Sequence, residues 1–142
     1  MEIKIKKLYE DSIIPTKGSE YAAGFDLYAH EEAVVEPHTN VKIGTGVAIK
    51  APNGTFGAIF ARSGLATKQG LRPANCVGVC DSDYTGEYIV ALHNDTNEPH
   101  GISKGDRIGQ VVFIPYLEAE FQEVDDLEET ERGGDGFGST GA

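Results

Sequence analysis

The run Gly78-Val79-Cys80-Asp81-Ser82-Asp83-Tyr84-Thr85-Gly86-Glu87 sets two aspartates and an aromatic ring straight after an apolar stretch. A carboxylate in such a place costs stability unless water or a ligand uses it. Asp81 can polarise a water molecule for attack, and the Tyr84 ring can stack on a flat ligand. An ordinary acidic turn would use the same residues without chemistry. Other stretches offer anion chemistry. Ala61-Arg62-Ser63-Gly64 follows a strand pattern that ends at Phe60 and enters a short helical pattern. A helix start leaves N–H groups unpaired, Gly64 admits close approach to the backbone, and Arg62 adds charge, so the segment suits phosphate. A plain Ser63 helix cap fits it as well. Asp26, in Gly24-Phe25-Asp26-Leu27, can hold an arginine or a hydrated metal, or can be a turn aspartate. In Gly105-Asp106-Arg107-Ile108-Gly109-Gln110, Gln110 can bond phosphate and Arg107 can pair with an acid, or both can be polar positions of a strand edge. The terminal run from Arg132 to Ala142 is too glycine-rich to pack a core. It reads as a free tail, or as a lid in which Phe137 stacks while Arg132, Ser139 and Thr140 meet phosphate.

Strands must position these groups. Val77 and Val79 alternate, Thr85-Gly86 is turn chemistry, and Tyr88 to Leu92 reads as a return strand. The spacing predicts a β-hairpin with Asp81 and Tyr84 at its tip. Ile3 and Ile5 alternate with lysines in a first strand, and Val41, Ile43, Val47 and Ile49 mark another. Thr55 to Phe60 and Ile108 to Ile114 supply two more, with Asn53-Gly54 as a hairpin turn signal. Only Gly64 to Gln69 looks helical. Glu118 to Glu131 carries acids and no base, which predicts a solvated strand followed by an exposed linker. With 18 Gly, no Trp and short apolar runs, the chain predicts an all-β sandwich, barrel or jelly roll.

The 142 residues suit one domain. A net charge of −11 opposes nonspecific binding to nucleic acid or anionic membranes. It leaves room for a small anion held by a few arginines, backbone N–H groups and a divalent cation. Cys76 and Cys80 lie four apart in an expected strand, where roughly 13 Å between Cα atoms forbids a disulfide. They read as small buried hydrophobes. The scattered His30, His38, His93 and His100 do not suggest a zinc site. No apolar run has transmembrane length and the N-terminus shows no signal-peptide pattern, so a cytoplasmic, reducing compartment is the expectation, with a nuclear or viral origin open.

In order along the chain stand AAGFDLYA, ARSGLATKQG, NCVGVCDSDYTGE, GDRIGQVVF and RGGDGFGSTG. In this order and spacing they resemble the five motifs of the trimeric dUTPase family, over nearly the whole length. The resemblance implies a distorted jelly-roll β-barrel for residues 1–131 and a glycine-rich arm, 132–142, closing a neighbouring site in a homotrimer. It implies hydrolysis of dUTP to dUMP and pyrophosphate with Mg²⁺ on the triphosphate, which keeps uracil out of DNA and supplies dUMP for thymidylate synthesis. By motif position, Asp81 activates the attacking water and Tyr84 lies beneath the deoxyribose. Asn75 hydrogen-bonds uracil, helped by groups between Asn75 and Tyr88, among them Gly78. Arg62, Ser63, Gly64 and Gln110 bind phosphates. Asp26 lies by the metal's water shell. Arg132, Phe137, Gly138, Ser139 and Thr140 belong to the closing arm. Three positions depart from the family pattern: Ala61 replaces a common Pro, Cys80 a common Ile, and Asp135 a usual Gly. A dCTP deaminase, similar in fold and motifs, and a catalytically silent trimeric nucleotide binder are the alternatives. The first would release ammonia from dCTP, and the second would bind dUTP and release no pyrophosphate.

Overall fold

Short alternating runs bounded by Gly, Pro and Asn leave little room for helix, and strands dominate the computed structural model, which describes residues 1–138. In chain order the elements are β1 (Lys4–Lys7), β2 (Thr16–Lys17), β3 (Phe25–Tyr28), β4 (Ala33–Val35), β5 (Asn40–Lys50), β6 (Thr55–Phe60), α1 (Ser63–Gln69), β7 (Leu71–Pro73), β8 (Gly78–Cys80), β9 (Glu87–Asn94), β10 (His100–Ile102) and β11 (Arg107–Pro115). One sheet has the order β1-β5-β9-β7 and another β2-β3-β11-β6-β8, with β10 and β4 forming a separate pair. The all-β fold with one short helix is as expected; its strands make separate sheets and not one closed barrel. No helix among the described residues is long and apolar enough to cross a membrane.

Period-two alternation decides which face each strand buries. Ile43, Val47 and Ile49 of β5 and Tyr88, Val90 and Leu92 of β9 meet Leu27 of β3, Ile59 of β6 and Ile108 and Val111 of β11 in a single core. The β5–β9 register shifts between Gly44 and Ala48, where Gly46 takes φ +73°. Thr45 is buried there and donates its hydroxyl to the Tyr88 carbonyl at 2.6 Å. Ile43 is fully buried at the centre of this core. Ile43→Ala is expected to cost about 2–5 kcal/mol, read as a lower urea midpoint with unchanged slope.

Both expected hairpins are corrected by the sheet topology. β8 pairs with β6, whereas β9 pairs with β5 and β7 in the other sheet. The chain from Asp81 to Gly86 therefore passes between sheets and does not turn back on its own strand. Likewise Asn53-Gly54 is a turn, with Gly54 at φ +81° and Thr55 N–H donating to the Pro52 carbonyl, but it leads from β5 to β6 across the two sheets. Turn chemistry reverses a chain; it does not choose the partner of the next strand. Two further expectations fail. Residues 118–131 form no strand and are exposed throughout. Cys76 is exposed at φ +62°, outside any strand, so it is no buried strand residue. Cys80 is half-buried in β8, and both thiols are free.

Candidate active site

Two clusters form around β6. At its C-terminal end, β11 brings Gln110 opposite both Phe60 of β6 and Asp26 of β3. The Gln110 amide donates to the Ala61 carbonyl at 2.9 Å. A Cβ at Gly24 would fall 2.3 Å from Gln110 Oε1, so the glycine is what lets Gln110 lie there. Arg62 Nε donates to Asp26 Oδ1 at 3.1 Å, and Arg107 Nη1 approaches Asp26 Oδ2 at 3.8 Å. Asp26 is largely buried and is shared by two guanidinium groups, each of which keeps N–H donors and charge for a further partner, with Asp106 lining the same pocket. Such a charge, with adjacent open backbone, suits an anion. Ser63 and Gly64 are exposed beside it at the start of α1. Arg62 is the helix's N-cap and no side chain caps it, so the expected Ser63 cap is absent and the Ser63 hydroxyl is not spent on its own helix. A Cβ at Gly64 would meet nothing within 4 Å, so this glycine opens the surface without relieving any clash.

The second cluster lies along β8, where Gly78 stands opposite Ile59 and Cys80 opposite Gly57 of β6. Asn75, Gly78, Asp81 and Tyr84 line one cleft of about 230 Å³ with Ile59, Glu87 and Ile89. Four expected site residues thus come together. Tyr84 is held over the cleft by three contacts. Its hydroxyl donates to the Glu87 carbonyl at 2.7 Å, its backbone N–H donates to the Asp81 carbonyl at 3.1 Å, and its ring stacks on Tyr88. A Cβ at Gly86 would fall 2.6 Å from the Tyr84 hydroxyl. Asp81 is exposed, as a carboxylate must be to reach water, while burial pushes the neighbouring Cys80 thiol up and keeps it neutral. Tyr88 is different from its expected companions: its side chain is fully buried and its carbonyl is taken by Thr45. Glu87 and Ile89 were not singled out from the sequence. The period of β9, which turns Tyr88 and Val90 inward, turns these two toward the cleft and is the signal that finds them.

None of Arg62, Ser63, Gly64 and Gln110 lines the cleft. Cys80 pairs with Gly57, and Arg62 lies five residues further along an extended chain, roughly 16 Å away. Asp81 lies one step further still. In the arm, Arg132 Nε donates to the Asp135 carbonyl at 2.7 Å and Gly133 N–H to the Thr130 hydroxyl. Phe137 is wholly exposed at φ +49° and Gly138 is exposed, with φ +86°. Asp135 does not take positive φ, so its departure from glycine carries no backbone strain. Ser139 and Thr140 lie outside the described residues.

Known proteins share both the sequence and this architecture. The dUTPase family model matches residues 10–141. The deoxyuridine 5'-triphosphate nucleotidohydrolase of Desulfitobacterium hafniense is 49% identical over 146 residues, covering 99% of this chain and 97% of that one. The protein of the same name from Nautilia profundicola is 46% identical over 141 residues and covers 99% of each. Among solved structures, the Staphylococcus bacteriophage 80alpha dUTPase with dUPNHPP superposes with a TM-score of 0.92 at 28% identity, covering 99% of each chain. With the family model matching residues 10–141 and identities of 46% and 49% sustained over 99% of its length, the chain belongs to the dUTPase family.

Proposed function

We propose that this protein hydrolyses dUTP to dUMP and pyrophosphate in sites shared between copies of the chain in a homotrimer. The observation that carries this reading is the division of the site. The cleft along β8 holds Asn75, Gly78, Asp81 and Tyr84 but none of Arg62, Ser63, Gly64 and Gln110, and the β6 residue opposite Cys80 is roughly 16 Å of extended chain from Arg62. A second copy that brings its charged end to the first copy's cleft completes a nucleotide site. The arm, residues 132–142, then supplies a third contribution through Arg132, Phe137, Gly138, Ser139 and Thr140.

In this reading, uracil lies against Asn75 and the backbone near Gly78. Fixed donors and acceptors accept uracil and leave cytosine unpaired, and a tight pocket rejects the thymine methyl. Tyr88 adds backbone to that wall and no side chain. The deoxyribose lies on the Tyr84 ring. Asp81 takes a proton from water as its oxygen attacks the α-phosphorus; the bond from that phosphorus to the bridging oxygen breaks, and pyrophosphate leaves. Arg62, the α1 start and Gln110 hold the phosphate oxygens where charge is displaced. The residues fit an Mg²⁺ that travels with the triphosphate: no group of three potential ligand side chains exists among the described residues, and Mg²⁺ is commonly held by phosphates, waters and one or two carboxylates. Asp26, fixed by Arg62 and Arg107, is the carboxylate placed to accept a hydrogen bond from such a water. The ion's chemistry is charge neutralisation on the phosphates. An enzyme for this nucleotide acts inside the cell, in keeping with the two free thiols.

Pyrophosphate release with Mg²⁺, measured for dUTP, UTP, dTTP and dCTP, tests the reading. Turnover of dUTP alone is expected. Ammonia from dCTP, or dUTP binding without pyrophosphate, would overturn it. In the same assay Tyr84→Ala is expected to lower the dUTP/UTP ratio of kcat/KM by about tenfold or more, because the ring's bulk no longer meets the 2′-hydroxyl. An unaltered ratio would remove Tyr84 from that role.

A further inference from the structure

Tyr88 has the largest fully buried side chain among the described residues, and its hydroxyl has no hydrogen-bond partner. A buried unpartnered hydroxyl costs stability, and a plain core position is better filled by Leu or Phe. The ring must therefore be judged by where it reaches. It starts on β9 in one sheet and ends against β6 and β8 in the other. A Cβ at Gly57 would fall 2.6 Å from its hydroxyl oxygen, and Gly57 is the cross-strand partner of Cys80, the residue before Asp81. The Cys80 sulfur lies close enough for each group to perturb the other without forming a hydrogen bond of ordinary geometry. Burial pushes both the thiol and the phenol up, so the pair stays neutral. On its other side the Tyr88 ring stacks on Tyr84, with centroids 6.4 Å apart and planes 28° apart, an offset arrangement that aromatic rings favour. One buried ring thus touches both Cys80 and Tyr84, the residues that bracket Asp81.

We propose that Tyr88 is a positioning residue whose buried ring sets the height of Tyr84 and through it the discrimination against ribonucleotides, with Gly57 and Cys80 supplying the space for the ring's tip. The inference rests on the reading of Tyr84 as the ring beneath the deoxyribose. Interiors are close-packed, so a changed platform displaces what lies on it. Tyr84 cannot yield toward Gly86, where only the absent Cβ leaves it room. A small side chain at Cys80 is required for the same reason: added bulk there meets the end of the Tyr88 ring.

The test measures kcat/KM for dUTP and UTP, with thermal melting, on the full chain and on Tyr88→Leu, Tyr88→Phe and Cys80→Ile. Tyr88→Leu is expected to melt cooperatively and to lose about tenfold of the dUTP/UTP ratio. Tyr88→Phe, which keeps the ring, keeps the ratio. Cys80→Ile lowers it, because the ring's tip is displaced. A folded Tyr88→Leu with the wild-type ratio overturns the proposal. Should that variant not fold, a wild-type ratio in Cys80→Ile overturns it equally. A wild-type protein that hydrolyses dUTP and UTP alike defeats the underlying reading of Tyr84, a failure distinct from an unaltered ratio in the variants.

Discussion

Asp81→Asn is expected to bind dUTP with near wild-type affinity and to hydrolyse it about 10²–10⁴ times more slowly. The exchange keeps the size of the side chain and removes the carboxylate proposed as the base. Asp81 is exposed at the mouth of a cleft whose other walls are Asn75, Gly78, Tyr84, Glu87 and Ile89. Glu87 is the other carboxylate on that wall, and its Oε2 already accepts the Gly46 N–H at 2.8 Å, so it is a poor substitute base. The loss should fall on kcat and not on KM, since Asn75 and Tyr84 still hold the base and sugar. Titration with the analogue dUPNHPP and single-turnover pyrophosphate release separate the two quantities. A kcat within threefold of wild type would end the assignment of Asp81 as the base.

Removal of residues 132–142 is expected to leave an intact trimer with catalysis reduced about 10²–10³-fold, the scale of losing preorganised charge stabilisation. The described part of the arm contacts only itself and its stem: Arg132 with Asp135, and Gly133 with Thr130. Phe137 is wholly exposed. Among the described residues no core side chain hydrogen-bonds to the arm, so the melting temperature should not move. On the proposed role of the arm, catalysis should fall because bulk water enters the site and the phosphate contacts proposed for Arg132, Ser139 and Thr140 go with it. Sedimentation, melting and steady-state kinetics on the truncated chain decide it. Full activity would reduce the arm to a tail, and loss of the trimer would make it an assembly element.

Local signals in the chain were legible wherever one segment's own chemistry suffices. Thr55 to Phe60 reads as a strand and is one, and the helical run from Gly64 ends at Gln69 because Gly70 takes the left-handed cap at φ +69°. The sequence around Arg107 allows a pair with Asp106 or another acid, and the fold brings it to Asp26. The alternation of Val77 and Val79 predicts a strand that includes Cys76, but β8 begins at Gly78 and Cys76 lies before it at positive φ. The acids without a base from Glu118 to Glu131 predict a solvated strand, yet among the described residues no strand edge pairs with this stretch.

By itself, the order of residues determined the all-β character, the short helix, the inward faces of the strands and the identity of the five motifs. These follow from side-chain period and turn chemistry, which act over a few residues. The partner of each strand was decided only by the tertiary structure. Tyr88 and its neighbours bury one face equally well in either sheet as far as period is concerned, and only packing of the whole core sends β9 to β5 and leaves β8 on β6. That choice carries Asp81 and Tyr84 on a crossing between sheets and sets them a strand's length from Arg62. It also leaves Arg62 and Gln110 out of the cleft that Asp81 lines and stacks Tyr88 on Tyr84.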